Sequence, residues 1–295
     1  MVSRSMDCAG LNRQLFRFRS AYAEKNLNVG NASWQYFDSG NGSECIVLLH
    51  GSLVTGESFF PFLDAFPACF RVLLPSTPGS VSDMDEAVSG VLGILDNEGI
   101  AQAHVFGHSL GGMVAQCLVR RAPGRVANLI LSSTEAPSDA EAVIAEKGLA
   151  RVRLLPEWLI RAYLRLRPSR DAPELTQDEL RFFAEHVAAP GVKQRALSSA
   201  LIQHDYHRNF RFSAHDLEDW RGRILIAACE NDKVVTTASF HQLLALYPGA
   251  ARHVFPKAGH MSMLGRVSEY AELIVKFLSD AQSNHYNVVG AAKHP

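Results

Sequence analysis

Val105-Phe106-Gly107-His108-Ser109-Leu110-Gly111-Gly112 is the stretch whose reading decides the fold. Ala103 to Phe106 is a short apolar run, as a buried strand requires, and Met113 to Val119 follows with apolar residues at helical spacing. Between them stands Gly-x-Ser-x-Gly. Strand, abrupt turn and helix form the context in which that pentapeptide presents a serine as a nucleophile. The turn drives Ser109 toward a strained backbone, and a Cβ at Gly107 or Gly111 would clash where strand and helix nearly touch. The hydroxyl is then held at the C-terminal edge of a sheet, above a helix N-terminus. The pentapeptide by itself also fits a plain glycine-rich turn, so the rest of the chain has to supply its partners.

Upstream, Cys45-Ile46-Val47-Leu48-Leu49 is a continuous apolar run, the pattern of a strand covered on both faces, and it leads straight into His50-Gly51-Ser52-Leu53. Ser33 to Phe37 and Arg71 to Leu74 read as further strands, with helices predicted over 57–66 and 83–98. Downstream, Asn128 to Ser132, Arg223 to Ala228 and Arg252 to Phe255 are strands, separated by helices at 113–119, 238–246 and 267–278. Strands alternating with helices predict an α/β fold, a mostly parallel sheet with helices on both faces.

The alternation breaks at Ala136-Pro137. From there to Phe212 only helices are predicted, at 141–153, 156–167, 176–188 and 192–204, so residues 137–212 read as an inserted helical lid. Leu154, Leu155, Trp158, Leu159, Tyr163 and Leu166 form its apolar stripe. Arg151, Arg153, Arg161, Arg165, Arg167 and Arg170 surround the stripe as a solvated face. The expected organisation is a lead-in over 1–29 with one short helix near 11–24, a core formed by 30–136 and 213–280, the insertion, and a flexible tail over 281–295.

Nucleophilic catalysis by a serine needs a base to take its proton, an acid to orient that base, and donors for the oxyanion. The strand ending at Ala228 is followed by Cys229-Glu230-Asn231-Asp232, at the same sheet edge as the elbow if the strands are parallel. Asp232 is therefore the expected orienting carboxylate, with Glu135, after the strand ending at Ser132, as its rival. The strand ending at Phe255 is followed by Pro256-Lys257-Ala258-Gly259-His260, which makes His260 the expected base. The order Ser109, Asp232, His260 is that of an α/β-hydrolase. Gly51 lets the backbone swing, so the expected oxyanion donors are the amides of Ser52 and Leu110, the latter at a helix N-terminus. His50 and His108 read as turn residues, His104 and His253 as structural, and His204, Asp205 and His207 as a polar helix end, not a metal site. Leu53, Leu110, Met261 and Leu264 from the core, with Leu155, Trp158 and Leu159 from the lid, are expected to line an apolar substrate pocket.

Composition narrows the classes. With 29 basic and 30 acidic residues the net charge is −1, which argues against a dedicated nucleic-acid binder. Five scattered cysteines with no C-x-x-C pair suggest reduced thiols, neither a disulfide framework nor a zinc site. The first residues lack an apolar signal core, Asp7 and Glu24 interrupt the Arg4, Arg13, Arg17, Arg19 series against a transit peptide, and no run is long enough to span a membrane. A cytoplasmic location without cofactor or metal is expected.

His50-Gly51, Gly107-His108-Ser109-Leu110-Gly111-Gly112, Asp232 and Gly259-His260 together resemble the α/β-hydrolase superfamily over about residues 30–280. The resemblance implies an eight-stranded sheet with a helical lid after the sixth strand. Shorter segments resemble the maspardin-like branch: Trp34 to Gly40, Phe59-Phe60, Phe70-Arg71-Val72, Ser109-Leu110-Gly111-Gly112 and Leu246 to Arg252. Maspardin is regarded as an adaptor without a full triad, whereas here the histidine and the His-Gly turn are present. Leu74-Pro75-Ser76-Thr77-Pro78-Gly79-Ser80 departs from the Asp-x-x-Gly-x-Gly-x-Ser loop of many family members. The function expected is hydrolysis of small carboxylic esters with an apolar acyl group through an acyl-enzyme. Thioester hydrolysis, C–C bond hydrolysis and perhydrolysis are alternatives on the same residues, and a non-catalytic adaptor is the alternative of another class.

Overall fold

The computed structural model of the chain describes residues 8–166 and 172–280. Its centre is an eight-stranded sheet: β1 Lys25–Val29, β2 Ala32–Asp38, β3 Glu44–Leu49, β4 Phe70–Ser76, β5 Ala103–His108, β6 Val126–Ser132, β7 Ile224–Cys229 and β8 Ala251–Phe255. The order across the sheet is β1-β2-β4-β3-β5-β6-β7-β8. β2 runs antiparallel to both neighbours, and every pair from β4 to β8 is parallel. Ile46 to Leu49 and the whole of β5 are buried, because helices cover both faces.

One face carries α2 Met84–Asn97, α3 Leu110–Arg121 and α8 Thr237–Leu246. Its core is built on Trp34, Val47, Val88, Val105, Leu118 and Leu131. The other face carries α1 Cys8–Ala21 and α9 Val267–Ser279, over Ile46, Leu48, Phe62, Phe106 and Tyr270. The N-terminus of α2 is stopped by Asp83, whose carboxylate accepts the Glu86 amide at 2.8 Å.

Between β6 and β7 lie α4 Asp139–Leu154, α5 Glu157–Leu166, α6 Gln177–Val187 and α7 Val192–Asn209. A Thr176–Glu179 capping box opens α6. α4 lies along α7, and α6 touches α1.

Three expectations are adjusted. Lys25–Val29 falls in the expected lead-in, yet it forms a hairpin with β2 through Gly30, whose φ of 57° only a residue tolerant of the left-handed region adopts cheaply. Its polar sequence, KNLNV, hides it because this edge strand is half exposed. The helix expected over 57–66 is a 3₁₀ turn, Gly56–Phe59, followed by one turn of α-helix, Phe60–Leu63, with Pro61 in its first turn. The lead-in helix is also part of the fold, since Leu11, Leu15 and Phe18 are buried against the core. Residues 1–7, the expected tail over 281–295, and Arg167 and Arg170 of the insertion lie outside the described residues.

Candidate active site

Ser109 stands between β5 and α3 with φ 52° and ψ −119°, a strained conformation for a residue with a side chain. The turn is as tight as the spacing of its glycines demands. A Cβ on Gly107 would stand 2.3 Å from the Gly111 carbonyl oxygen, and one on Gly111 would stand 2.1 Å from that of Leu49. Thr134, beyond β6, locks the elbow from the side by donating its hydroxyl to the Ser109 carbonyl at 2.8 Å.

The C-terminal ends of β7 and β8 bring the two partners. His260 Nε2 is 3.1 Å from Ser109 Oγ, and His260 Nδ1 is 2.9 Å from Asp232 Oδ2. Asp232 Oδ1 accepts the amides of Val234 and Val235 at 2.8 and 2.9 Å, which fixes the carboxylate. Burial alone would raise this carboxyl, but the bond to His260 and the two amides outweigh it and hold it below the ordinary carboxylate range. The β7 and β8 loops are tied together where the Asn231 amide donates to the Ala258 carbonyl at 2.9 Å. Glu135, the rival acid, is elsewhere: its Oε1 is 3.3 Å from His207 Nε2.

Behind the imidazole lies a buried polar chain. His108 Nδ1 is 3.3 Å from Ser132 Oγ, and Ser262 Oγ is 3.0 Å from Tyr270 Oη and 2.9 Å from Cys229 Sγ. The rings of His108 and His260 are 5.1 Å apart. Burial, aided by His260, pushes His108 down to about 3, so it is neutral and unfit as a base.

The loop after β3 faces the elbow. A Cβ on Gly51 would stand 3.3 Å from Ser109 Cβ, which puts the Gly51–Ser52 peptide beside Ser109. His50 pins the loop, donating Nδ1–H to the Gly51 carbonyl at 2.7 Å and accepting the Thr77 amide on Nε2 at 2.9 Å. Burial pushes His50 down to about 4, in keeping with that neutral role. Leu110 is the first residue of α3, so its amide is among those a helix leaves without an intrahelical acceptor.

A second clamp on this loop comes from α7 and was not legible in the sequence. Arg195 Nε donates to the Leu53 carbonyl at 2.9 Å, Ser199 Oγ accepts the Leu53 amide at 3.3 Å, and Gln203 Nε2 donates to Ser52 Oγ at 2.7 Å. The three residues are spaced four apart, one stripe of a helix. Leu53 sits at φ 72° under their hold. Only a contact between segments about 150 residues apart gives that stripe its meaning, and no local pattern announces it.

Ser109 and His260 open into a cavity of about 480 Å³ between sheet edge and insertion. Leu53, Met261 and Leu264 line it, as do Val152 and Leu164 of the insertion. Trp158 does not, and this corrects its expected place in the pocket: its side chain is 69% exposed. On α5 it is Ile160 that is buried, and two residues of helix turn Trp158 about 200° away from that side. Leu155 and Leu159 also stay out of the lining, as does the side chain of Leu110, which is buried in the core beneath the elbow helix. His207 lines the cavity instead of lying idle at a helix end. Among the described residues no cluster of three or more side chains could hold a metal ion, and no helix is long and apolar enough to cross a membrane.

Residues 46–273 match the Alpha/beta hydrolase family. A 2-hydroxy-6-oxononadienedioate/2-hydroxy-6-oxononatrienedioate hydrolase of Burkholderia vietnamiensis is 28% identical over 278 residues, covering 82% of this chain and 90% of the relative. A putative carbamate hydrolase of Caulobacter segnis is 27% identical over 215 residues, covering 70% of this chain and 76% of the relative. Among solved structures, a meta-cleavage product hydrolase of Pseudomonas fluorescens superposes with a TM-score of 0.70 at 23% identity, covering 88% of this chain and 98% of the other. These relatives are not maspardin-like, and the branch read from the shorter segments is corrected. The residues behind that reading have packing reasons to be there: Trp34 and Tyr36 are buried in the core, and Tyr247 accepts from Arg120 at 2.8 Å.

Proposed function

The chain belongs to the alpha/beta hydrolase family, and from that premise we propose that it is a serine hydrolase of carboxylic esters working through an acyl-enzyme. The observation that carries the reading is the hydrogen-bonded series Ser109 Oγ, His260 Nε2, His260 Nδ1, Asp232 Oδ2, at 3.1 and 2.9 Å. In the proposed reaction Ser109 Oγ attacks the acyl carbon while His260 Nε2 takes its proton. The oxyanion meets the amides of Ser52 and Leu110. The tetrahedral intermediate expels the alcohol, which receives the proton from His260. Water then attacks the acyl-enzyme, giving its proton to the same nitrogen, and Ser109 is regenerated as the acid leaves. Asp232 keeps Nδ1 protonated and stabilises the imidazolium.

The apolar lining around Leu53, Met261 and Leu264 supports an apolar acyl group, with residues 137–212 as a lid over it. Each methylene that fits adds up to about 0.8 kcal/mol, roughly fourfold in kcat/KM, until the cavity is full. A cytoplasmic location belongs to the same proposal.

A rapid-mixing experiment with nitrophenyl butyrate tests the acyl-enzyme. A burst of nitrophenol matching the enzyme concentration is expected, or, if deacylation is fast, acyl transfer to added methanol. Hydrolysis that shows neither would sink the covalent route.

A second reading, C–C bond hydrolysis on the same triad, is favoured by the name of the relatives that are 26–28% identical. The check is loss of the visible absorbance of a 2-hydroxy-6-oxo-dienoate on mixing with the protein, set against its rate on the butyrate ester.

A further inference from the structure

The lining of the cavity includes polar groups that the catalytic steps do not use. Glu135 and Glu141 both line it, from the loop after β6 and from the first turn of α4. His207, only 2% exposed, lines it from the stripe of α7 that begins with Arg195, Ser199 and Gln203. Its Nε2 is 3.3 Å from Glu135 Oε1, and its Nδ1 has no hydrogen-bond partner among the described residues. Glu141 Oε1 accepts the Ser239 hydroxyl at 3.3 Å, and partial burial together with the neighbouring Glu135 carboxylate raises the Glu141 carboxyl, with His207 pulling the other way. Among the described residues no lysine or arginine lines the cavity.

These groups agree in what they lack. The buried Nδ1 of His207 is a polar atom still awaiting a hydrogen-bond partner from within the cavity. Two carboxylates lining one cavity are relieved by a positive charge between them and strained further by a negative one. Glu135 is placed rigidly: its backbone carbonyl accepts from Gln116 at 2.9 Å and from Tyr206 at 3.0 Å. The backbone that carries the Glu135 side chain is thus held in place, in the lining of the same cavity as Ser109.

We propose that Glu135, Glu141 and His207 form a specificity subsite that selects ester substrates carrying an ammonium or another hydrogen-bond donor and rejects those carrying a carboxylate. The proposal rests on the serine-esterase reading and narrows it. It also separates this chain from the dienedioate hydrolases it resembles, whose named substrates bear two carboxylates.

The test compares kcat/KM within isosteric pairs, using the full chain. Dimethylaminoethyl butyrate, whose protonated amine keeps an N–H, against methylbutyl butyrate puts the cation on the alcohol. Nitrophenyl aminohexanoate against nitrophenyl heptanoate puts it on the acyl chain, and the nitrophenyl monoester of adipic acid supplies the anion. The expected result is that at least one cationic ester exceeds its neutral partner by about tenfold, about 1.4 kcal/mol, and that the adipate is the poorest acyl donor. Glu135→Gln or Glu141→Gln should pull that ratio toward one. Because the ratio is taken within one variant, loss of folded protein cancels. Ratios of one or below for both pairs, or a cationic preference that survives both substitutions unchanged, would overturn the subsite. Neutral esters hydrolysed without cationic preference would overturn the subsite and leave the esterase reading standing. Hydrolysis of none of the five would remove both.

Discussion

At the residue scale, two histidines that line one cavity each meet a carboxylate, and the geometry separates the two pairs. Asp232 meets His260, and Glu135 meets His207. Asp232→Asn favours the wrong imidazole tautomer and is expected to lower kcat by about 10³ or more, with KM little changed. Glu135→Gln should not do so on a neutral ester. A reversal of these two effects in steady-state kinetics would move the acid to Glu135. The hydrogen-bonded arrangement of Ser109, His260 and Asp232 was legible because each of them follows its own apolar strand, and strand ends of a parallel sheet converge at one edge. The other polar groups in the cavity lining were not. His207 and Glu135 are 72 residues apart in number only because a helical insertion intervenes, and nothing in either local sequence pairs them.

At the scale of elements, α7 does more than cover the cavity. Arg195, Ser199 and Gln203 hold the Ser52–Leu53 turn, and Leu53 keeps a positive φ under that hold. Gln203→Leu should therefore release Ser52 and lower kcat about tenfold while KM stays within about twofold, the pattern of a lost transition-state interaction. Equal loss in KM would mean that Gln203 binds substrate directly. Trp158→Ala, by contrast, should leave the acyl-length profile of kcat/KM as it is, because the indole faces away from the cavity. The apolar stripe of α5 was visible in the sequence, but its direction was not. Helical period says which residues share a face, and only the packing of α5 against α6 and α7 says which face turns inward. β1 escaped notice for a related reason: an edge strand with one half-buried side needs few apolar residues.

At the scale of the whole molecule, the site has a cost in acid. His50 and His108 are buried neutral, pushed to about 4 and about 3, while an unfolded histidine titrates near 6.5. The unfolded chain thus takes up protons first. The stability these groups contribute is complete above about pH 6.5 and is lost as pH falls toward 4, with a slope of up to about 1.4 kcal/mol per pH unit for each. Glu57 adds to this at lower pH. Burial would raise it, but Arg19 and His186 bring it down to about 2, so its contribution is present above about 4.5 and disappears as pH falls to 2. Urea midpoints measured from pH 7.5 to 4.5 should fall steadily below 6.5, and His108→Asn should flatten the curve. A constant midpoint across that range in the parent protein would contradict the buried neutral imidazoles. The doubly covered sheet itself was plain from the continuous apolar runs of β3 and β5, since few other places in a protein bury a strand on both faces.

The central claim, that Ser109 is a nucleophile activated by His260, is tested most directly by labelling the folded protein with a fluorophosphonate and locating the adduct by mass spectrometry. The account predicts one phosphonyl group per chain, on Ser109, absent from Ser109→Ala and strongly slowed in His260→Ala, with both variants retaining the thermal unfolding transition of the parent. An unlabelled parent protein, or an adduct that persists in Ser109→Ala, would contradict it.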